Sequence, residues 1–297
     1  MQIHSLAKLV VPLAMPLTRD ERIDAAALER CVQHVIDGGV QAIFVNSTTG
    51  EYLALTDAVR REAVQRVHEL IAGRVQLFVG ISDIATERVL QNLDFAARFE
   101  PQAYVLLPPL FYPASTNALI RFFERIAEAA PAPIVLYNNP PLIRNALDLD
   151  TVNRLIEHPN IVGIKDSSGD FRAMLRLIAL KQKRPDFLIY ASKAYLWSAG
   201  LRAGADGMID AMLNVIPSWG ARLFDLLASG RQQEAQMLQQ RILELLHILD
   251  IAPAIPAIKT AMHHMGLCQP YVIHPFTVPD AATVTAIRHL LETHELI

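Results

Sequence analysis

A lysine stands inside a run of residues that is otherwise typical of a buried strand. The residues from Ile161 to Ile164 are apolar or small, and Lys165 follows them, directly before Asp166. Lysine is rarely buried completely, because removing its ammonium group from water costs free energy. One interpretation is a lysine that reaches solvent or pairs with Asp166. The other is an amine that apolar surroundings keep uncharged, so that it can attack a carbonyl carbon and form a Schiff base.

The second interpretation requires a strongly apolar environment. A lysine with the ordinary pKa of ~10.4 is uncharged in roughly one molecule in 2500 at pH 7. Lowering such a pKa to ~7 requires about 4.6 kcal/mol of destabilisation of the ammonium form. An apolar protein interior can supply this by desolvation, so a nucleophilic lysine is expected to be buried.

Schiff-base chemistry also requires a group that moves protons, and a tyrosine ends the preceding apolar run. Forming and hydrolysing an imine passes through a carbinolamine, whose protons must be added and removed. Tyr137 closes the run PIVLY and is the candidate for this role. The alternative interpretation is an ordinary amphipathic tyrosine at a strand end.

A third group of polar residues follows an earlier apolar run. The sequence Ser47-Thr48-Thr49-Gly50 combines hydroxyl groups with a glycine whose neighbouring backbone N–H groups could surround a carboxylate. A plain Ser/Thr turn before a helix cap is the alternative. The turn is a candidate anion site. This interpretation is better supported if the turn lies at the same end of the fold as the lysine and the tyrosine.

The elements that must position these groups alternate along the chain. Short β-rich apolar runs are followed by amphipathic segments of helical length. The runs are AKLVVPLA, VQAIFVNS, VQLFVGIS, QAYVLLPP, PIVLYNNP, IVGIKDSS, FLIYAS and GADGMIDA. Most are continuously apolar, which indicates strands buried on both faces of a parallel sheet. Eight strand–helix units predict an α/β fold, a (β/α)8 TIM barrel, with the active site at the carboxyl ends of the strands.

The last part of the chain contains few strand candidates. We predict a catalytic barrel domain over residues 1–230 and a helical appendage over 231–297. About three helices are expected in the appendage, over Gln232–Leu249, Ala254–Met265 and Ala281–Glu295. A doubly wound open sheet with a separate helical domain is the alternative architecture. The absence of a GxGxxG motif after the first strand, Leu6 to Met15, weakens its dinucleotide-binding form.

Composition argues against several other classes. The 297 residues are 52% hydrophobic and carry a formal net charge of −3, which disfavours a nucleic-acid partner. No apolar run approaches the ~18 residues of a membrane span. Two cysteines far apart favour a reducing cytoplasm. His263-His264 has no carboxylate at metal spacing, and no glycine-rich phosphate loop is seen, so we expect no metal and no cofactor.

The motifs STTGE, YNNP and GIKD, at their spacings in this chain, resemble the dihydrodipicolinate synthase/N-acetylneuraminate lyase family of class I pyruvate-dependent aldolases. The resemblance implies that Lys165 forms the imine and that Tyr137 shuttles protons. It further implies that Thr48 and Thr49 hold the keto-acid carboxylate, with Thr49 also relaying protons, and that Ile209 presents a backbone carbonyl to the substrate. A small-molecule substrate and a homodimer or homotetramer are implied as well.

Two loops depart from the family pattern. Leu142 occupies the slot in which dihydrodipicolinate synthases carry an arginine for the second substrate, and Arg144 lies two residues further on. A leucine resembles the sialic-acid and keto-deoxy-sugar branches instead. In the loop after the fourth strand, Phe111 fills the slot of a tyrosine that family members lend to the neighbouring subunit. Tyr112, one residue along, is the candidate replacement; the alternative is a proton relay shortened to Thr49 and Tyr137.

Two further residues bear on the substrate. Lys193 lies where sialic-acid lyases have an acidic pair, which suggests a substrate with an anionic distal end; a solvated helix residue is the alternative. Asp210 stands where a serine is common. We therefore expect a lyase that acts on pyruvate or a 2-keto acid, by aldol cleavage or condensation or by dehydration of a 2-keto-3-deoxy acid. Dihydrodipicolinate synthase and a non-catalytic keto-acid-binding protein are the alternatives.

Overall fold

The computed structural model describes residues 6–297. Eight parallel strands form a closed barrel in which they follow one another in chain order, which confirms the predicted (β/α)8 fold. The strands are β1 Leu9–Pro12, β2 Ala42–Val45, β3 Gln76–Gly80, β4 Ala103–Leu106, β5 Ile134–Asn138, β6 Ile161–Asp166, β7 Leu188–Ala191 and β8 Gly207–Ile209. Nearly every strand residue is buried, as the continuous apolar runs predicted.

A helix follows each strand, and three more helices follow the last unit, as predicted. The helices are α1 Ala25–Asp37, α2 Asp57–Ile71, α3 Thr86–Ala97, α4 Thr116–Ala129, α5 Leu149–Leu155, α6 Phe171–Ala179, α7 Trp197–Ala203, α8 Pro217–Ala228, α9 Gln232–Leu245, α10 Ala254–His264 and α11 Ala281–Thr293. Polar N-caps begin many of them; the Asp148 carboxylate, for example, accepts the N–H of Thr151 at 2.8 Å. In residues 6–297, no helix has the length and apolar character that crossing a membrane requires.

Several element ends differ from the sequence-based expectation. β1 is shorter than the apolar run from Leu6 to Met15, because the N–H of Ala14 donates to the side chain of Asn214 at 2.9 Å instead of continuing the ladder. After β7, a 3-10 turn over Ala194–Leu196 precedes α7, which begins at Trp197. α9 ends at Leu245 and continues as a 3-10 turn rather than as α-helix.

The chain divides into two compact units. The first contains the segment up to Lys8 together with Gln76–Ile209, and the second contains Leu9–Val75 and Asp210–Ile297. Each unit has its own buried core of large side chains. The first core includes Phe78, Tyr104, Phe123, Tyr190 and Trp197, and the second includes Phe44, Leu28 and the 0% exposed Lys259. The division into a catalytic domain over 1–230 and an appendage over 231–297 stays a prediction.

Candidate active site

Lys165 is buried in β6, with only 3% of its surface exposed. In the parallel ladder it is aligned with Tyr137 on β5 and with Tyr190 on β7, so the three side chains lie on one face of the sheet. The Lys165 amine nitrogen lies 4.0 Å from the centre of the Tyr137 ring. The structure thus brings together the two residues that the sequence proposed for imine formation and proton transfer.

A glycine two residues before the lysine sets the spacing of the strands. A Cβ atom at Gly163 would lie 2.7 Å from the carbonyl oxygen and 2.9 Å from the Cβ atom of Leu188 on β7. Only glycine permits this approach of β6 to β7, since any side chain would push the strands apart. The strand that carries Lys165 is therefore held at close range to its neighbour.

The hydroxyl group of Tyr137 is oriented by a neighbouring amide. Asn139 Nδ2 donates a hydrogen bond to Tyr137 Oη at 3.0 Å, and both residues are buried. Because the oxygen accepts from Asn139, its own hydrogen is directed away from that amide. No role for Asn139 was predicted from the sequence, although the residue lies in the YNNP motif, one position after the end of β5.

Asp166 belongs to a separate network on the opposite face of β6, because successive strand residues point to opposite faces. Its carboxylate accepts hydrogen bonds from Asn138 Nδ2 at 3.3 Å and from Ser168 Oγ at 2.6 Å. Burial raises the pKa of Asp166, and the hydrogen bonds from Ser168 and Asn138 oppose that effect. This geometry disfavours the interpretation in which Lys165 exists to pair with Asp166.

The turn over residues 47–51 follows β2 in the second compact unit. The N–H of Gly50 donates to Ser47 Oγ at 3.1 Å, and the N–H of Glu51 donates to the carbonyl of Thr48 at 3.0 Å. These two N–H groups are therefore used inside the turn, so the predicted backbone nest for a carboxylate does not include them. Thr49 is buried, and Thr48 is half-buried.

Gly50 is needed in this turn for space. A Cβ atom there would lie 2.9 Å from the carbonyl oxygen of Leu13 and 3.6 Å from Ser47 Oγ. The turn therefore packs directly on the chain that follows β1. The substrate-binding roles of Thr48, Thr49 and Gly50 stay predictions.

The two candidates at the end of β8 have different surroundings. Ile209 is the last residue of the strand and is fully buried. The Asp210 carboxylate accepts the N–H of Met212 at 2.8 Å and so caps the 3-10 turn over Ala211–Asn214. A cap explains the buried aspartate locally; a role for Asp210 in substrate binding stays a prediction.

Lys193 lies beside the loop that follows the imine-forming candidate. Ser192 Oγ and Ser167 Oγ are 2.6 Å apart, and Tyr195 Oη donates to the carbonyl of Gly169 at 3.4 Å. A Cβ atom built at Gly169 would lie 3.9 Å from Lys193 Cε. The loop after β7 thus packs on the loop after β6, and the half-buried Lys193 lies beside Gly169 at this edge.

The candidates Leu142 and Tyr112 are exposed. Leu142 has 67% of its surface exposed, and Tyr112 packs edge-to-face on Phe111 with ring centres 5.1 Å apart. Asn145, which sequence reasoning missed, donates to the carbonyl oxygens of Pro109 and Tyr112 at 2.6 and 2.7 Å. It therefore fastens the loop after β4 to the loop after β5.

The histidine pair on α10 bonds to the main chain. His263 Nδ1 lies 3.0 Å from the carbonyl oxygen of Cys268, and His264 Nε2 lies 3.2 Å from that of Val284. Across the described residues 6–297, no three His, Cys, Asp or Glu side chains are grouped so that they could hold a metal ion.

Comparison with known proteins places this geometry in a family. The sequence pattern of the dihydrodipicolinate synthetase family matches residues 5–294. The chain is 31% identical to the 4-hydroxy-tetrahydrodipicolinate synthase of Xanthomonas campestris pv. campestris, over 89% of this chain and 86% of that protein. It is 26% identical to the N-acetylneuraminate lyase of Salmonella paratyphi B, over 97% of each.

A solved structure shares the fold across the whole chain. YagE, a prophage protein of the dihydrodipicolinic acid synthase family from E. coli K12 in complex with pyruvate, matches with a TM-score of 0.94. The two sequences are 23% identical, and the match covers 98% of this chain and 99% of that one. The family match over nearly the full length and the buried Lys165–Tyr137 pair agree: the chain belongs to the dihydrodipicolinate synthetase family and is a Schiff-base-forming lyase of the class I aldolase type.

Proposed function

We propose that Lys165 forms an imine with the keto carbon of pyruvate or another 2-keto acid, and that the chain then makes or breaks a bond at the adjacent carbons. The position of the Lys165 amine, buried and 4.0 Å from the Tyr137 ring, is the observation that carries this proposal. The Asn139 amide, which fixes the Tyr137 hydroxyl, supports it.

The reaction begins when the uncharged amine attacks C2 of the keto acid. The carbonyl oxygen takes up a proton and the nitrogen loses one, which gives a carbinolamine. The hydroxyl group of the carbinolamine then takes up a further proton and leaves as water, which gives the protonated imine. Tyr137 transfers these protons, since its hydroxyl both donates and accepts. The positively charged imine withdraws electrons from C3, so C3 loses a proton to form an enamine.

The enamine can then react in two directions. Attack of C3 on an aldehyde forms the C3–C4 bond, and the reverse sequence cleaves it. With a 2-keto-3-deoxy acid, the enamine electron pair instead expels the C4 hydroxyl, which takes up a proton and leaves as water, so that an unsaturated imine forms and the outcome is dehydration. In each case water adds to the imine at the end, releases the product and restores the amine.

The carboxylate of the keto acid is assigned to the turn after β2 by family resemblance. In this proposal the Thr48 and Thr49 hydroxyls bind the carboxylate, and Thr49 also relays protons. Gly50 contributes to the binding site by letting the turn pack closely, since its own N–H donates to Ser47 Oγ. The Ile209 carbonyl borders the substrate. The resemblance also supports a homodimer or homotetramer in which Tyr112 replaces the usual inter-subunit tyrosine, and a cytoplasmic location.

The second substrate is inferred from the loops that differ. Leu142, in place of an arginine, lacks the cation that grips a second carboxylate in dihydrodipicolinate synthases, which favours a 2-keto-3-deoxy acid as the substrate. Lys193, on the loop after β7 and beside Gly169, supports a substrate with an anionic distal end, and Asp210 is a further candidate contact.

Two alternatives have specific support. The 31% identity to a 4-hydroxy-tetrahydrodipicolinate synthase favours synthase activity, which a coupled assay with pyruvate and aspartate semialdehyde measures. Phe111 in the slot of the shared tyrosine, together with Asp210, favours a keto-acid-binding protein without turnover. Such a protein would form the pyruvate adduct but give no product with any aldehyde or deoxy-keto acid.

Borohydride trapping tests the central proposal. Reduction in the presence of saturating pyruvate should attach the three-carbon unit to Lys165, as peptide mass mapping would show. The equally buried Lys259 provides an internal control and should stay unmodified. Lys165→Ala should give neither adduct nor turnover. An unmodified Lys165 after reduction under saturating pyruvate would refute imine formation.

A further inference from the structure

A buried ion pair anchors the turn over residues 47–51. The Lys259 amine on α10 contacts the Glu51 carboxylate, and the side chains of both residues are completely buried. Lys259 also donates to the carbonyl of Tyr271 at 2.7 Å, and the other Glu51 oxygen accepts the N–H of Ile273 at 2.8 Å. All four residues belong to the second compact unit, as does the turn.

The backbone of Glu51 is held in a conformation that only tertiary contacts maintain. Its φ of 58° lies in the left-handed region, which is unfavourable for a residue with a side chain. Such a conformation persists when the surroundings fix it, and it is concentrated at functional sites. The buried carboxylate supplies this restraint, because its contacts to Lys259 and Ile273 fix the side chain on both oxygens.

The restraint is transmitted to the threonines through the main chain. The N–H of Glu51 donates to the carbonyl of Thr48 at 3.0 Å, and its carbonyl accepts the N–H of Ala54 at 2.9 Å. The backbone of Glu51 is therefore hydrogen-bonded to Thr48 in the turn and to Ala54 in the segment that leads to α2. Any rotation of the Glu51 backbone would move Thr48 and Thr49.

We infer that Glu51 and Lys259 are positioning residues for the carboxylate of the keto acid, an inference that rests on the proposed function. The C-terminal helix α10 and the segment from Tyr271 to Ile273 then contribute to substrate binding without contacting the substrate. The pair fixes the turn before the ligand arrives, so that binding need not order it. Burial lowers the pKa of Lys259, and the Glu51 carboxylate opposes this effect.

The test measures pyruvate binding through the rate of borohydride trapping at a series of pyruvate concentrations. In Lys259→Met the half-saturating pyruvate concentration should rise about 10- to 100-fold, while the trapping rate at saturation should change less than about threefold. This split is expected because the pair acts on the turn and not on the Lys165 amine.

A second ion pair provides a matched control. Lys181 contacts Asp206, whose other oxygen accepts the N–H of Ile189 at 2.9 Å, so this pair also fastens a backbone segment. Asp206 directly precedes β8 and so lies at the amino end of that strand. Barrel active sites form at the opposite, carboxyl ends of the strands. Lys181→Met should leave the half-saturating concentration unchanged.

The possible outcomes separate the inference from the proposed function. An unaltered half-saturating concentration in folded Lys259→Met, or an equal rise in Lys181→Met, would overturn the positioning role. If wild-type protein is not trapped by pyruvate at all, the proposed function itself fails. If Lys259→Met does not fold, Glu51→Gln takes its place, because glutamine keeps the shape of the side chain and the acceptor for the N–H of Ile273. In this variant the half-saturating pyruvate concentration should rise about 3- to 10-fold, and an unaltered concentration would overturn the positioning role.

Discussion

Two buried lysines in different parts of the molecule have opposite surroundings. Lys259, on α10, is fully inaccessible and contacts a carboxylate and a main-chain carbonyl. Lys165, on β6, is 3% exposed and lies over the ring of Tyr137. Both follow an isoleucine in the sequence, and neither motif alone distinguishes them. The comparison teaches that burial alone does not identify a catalytic lysine; the chemistry of its contacts does.

The physical reason lies in what each environment does to the amine. The Glu51 carboxylate engages the Lys259 amine in an ion pair and opposes the effect of burial on its pKa. An aromatic ring attracts a cation more weakly than a carboxylate does. The contacts of Lys259 thus hold the turn that contains Glu51, whereas the position of Lys165 beside the Tyr137 ring supports the imine-forming role that we propose for it.

The largest expected effect comes from replacing each lysine by methionine, which keeps the length of the side chain. Lys259→Met should lower the free energy of unfolding by about 3–5 kcal/mol, because the Glu51 carboxylate is left buried without its cation. Lys165→Met should abolish turnover and should lower the free energy of unfolding by less than Lys259→Met does, because the neighbouring Asp166 carboxylate keeps its hydrogen bonds from Asn138 and Ser168. Urea unfolding and a turnover assay check both.

The contrast between the two lysines would be wrong if Lys165→Met and Lys259→Met had the same effects on stability and turnover. A loss of stability in Lys165→Met as large as that in Lys259→Met would mean that Lys165 is a structural lysine. Full turnover in Lys165→Met would exclude it from the chemistry. The two measurements are independent, so each half of the contrast is tested separately.

The next largest effect should come from Tyr137→Phe, which keeps the ring beneath Lys165 and removes only the hydroxyl. Loss of a positioned proton-transfer group typically costs about 10²- to 10⁴-fold in rate, so kcat should fall within that range. The KM for pyruvate should change only a few-fold, because the ring that borders the substrate remains. Steady-state kinetics on the two proteins measure this, and a rise in KM with unchanged kcat would contradict the assigned role.

A smaller effect is expected from Asn139→Ala. The variant removes the hydrogen bond of 3.0 Å that orients the Tyr137 hydroxyl. A hydrogen bond of this kind contributes about 0.5–1.5 kcal/mol, so kcat should fall roughly 2- to 10-fold. Combining Asn139→Ala with Tyr137→Phe should give no further loss, because the amide then has no hydroxyl to orient. Additive losses in this double-mutant cycle would show that Asn139 acts elsewhere.

The smallest effect concerns the other face of β6 and the dependence of stability on pH. Burial raises the pKa of Asp166 in the folded protein, so the folded state binds that proton more tightly than the unfolded chain does. The stabilising contribution is fully present below the unfolded pKa of ~3.9 and is lost as the pH rises through the folded pKa. Asp166→Asn should therefore gain stability relative to the wild type as the pH rises from 4 towards 7.

Urea denaturation of both proteins across this pH range would measure the difference. In Asp166→Asn the new amide oxygen remains an acceptor for Asn138, and Ser168 Oγ can accept from the amide nitrogen, so the network survives the substitution. A stability difference that does not vary with pH would show that the proton on Asp166 does not contribute.

Much of the fold could be predicted because its signals are local. Continuous apolar runs and polar caps depend on neighbours within a few residues, so the strands and most helices were placed to within a few positions. The residues Asn139 and Asn145 were missed for the same reason. Asparagine occurs in many loops, and its importance here comes from the partners that the fold brings to it, Tyr137 for one and the carbonyl of Tyr112 for the other.

Local patterns in the sequence were sufficient to predict the barrel, the reactive residue types near the carboxyl ends of its strands, and the motifs shared with a family of pyruvate-handling lyases. Which lysine lies over an aromatic ring and which contacts a carboxylate depends on how the chain folds. The physical reason is distance along the chain: Lys259 and Glu51 are separated by more than two hundred residues, as are Glu51 and Ile273. No local pattern encodes such a contact, because the closing of the fold creates it.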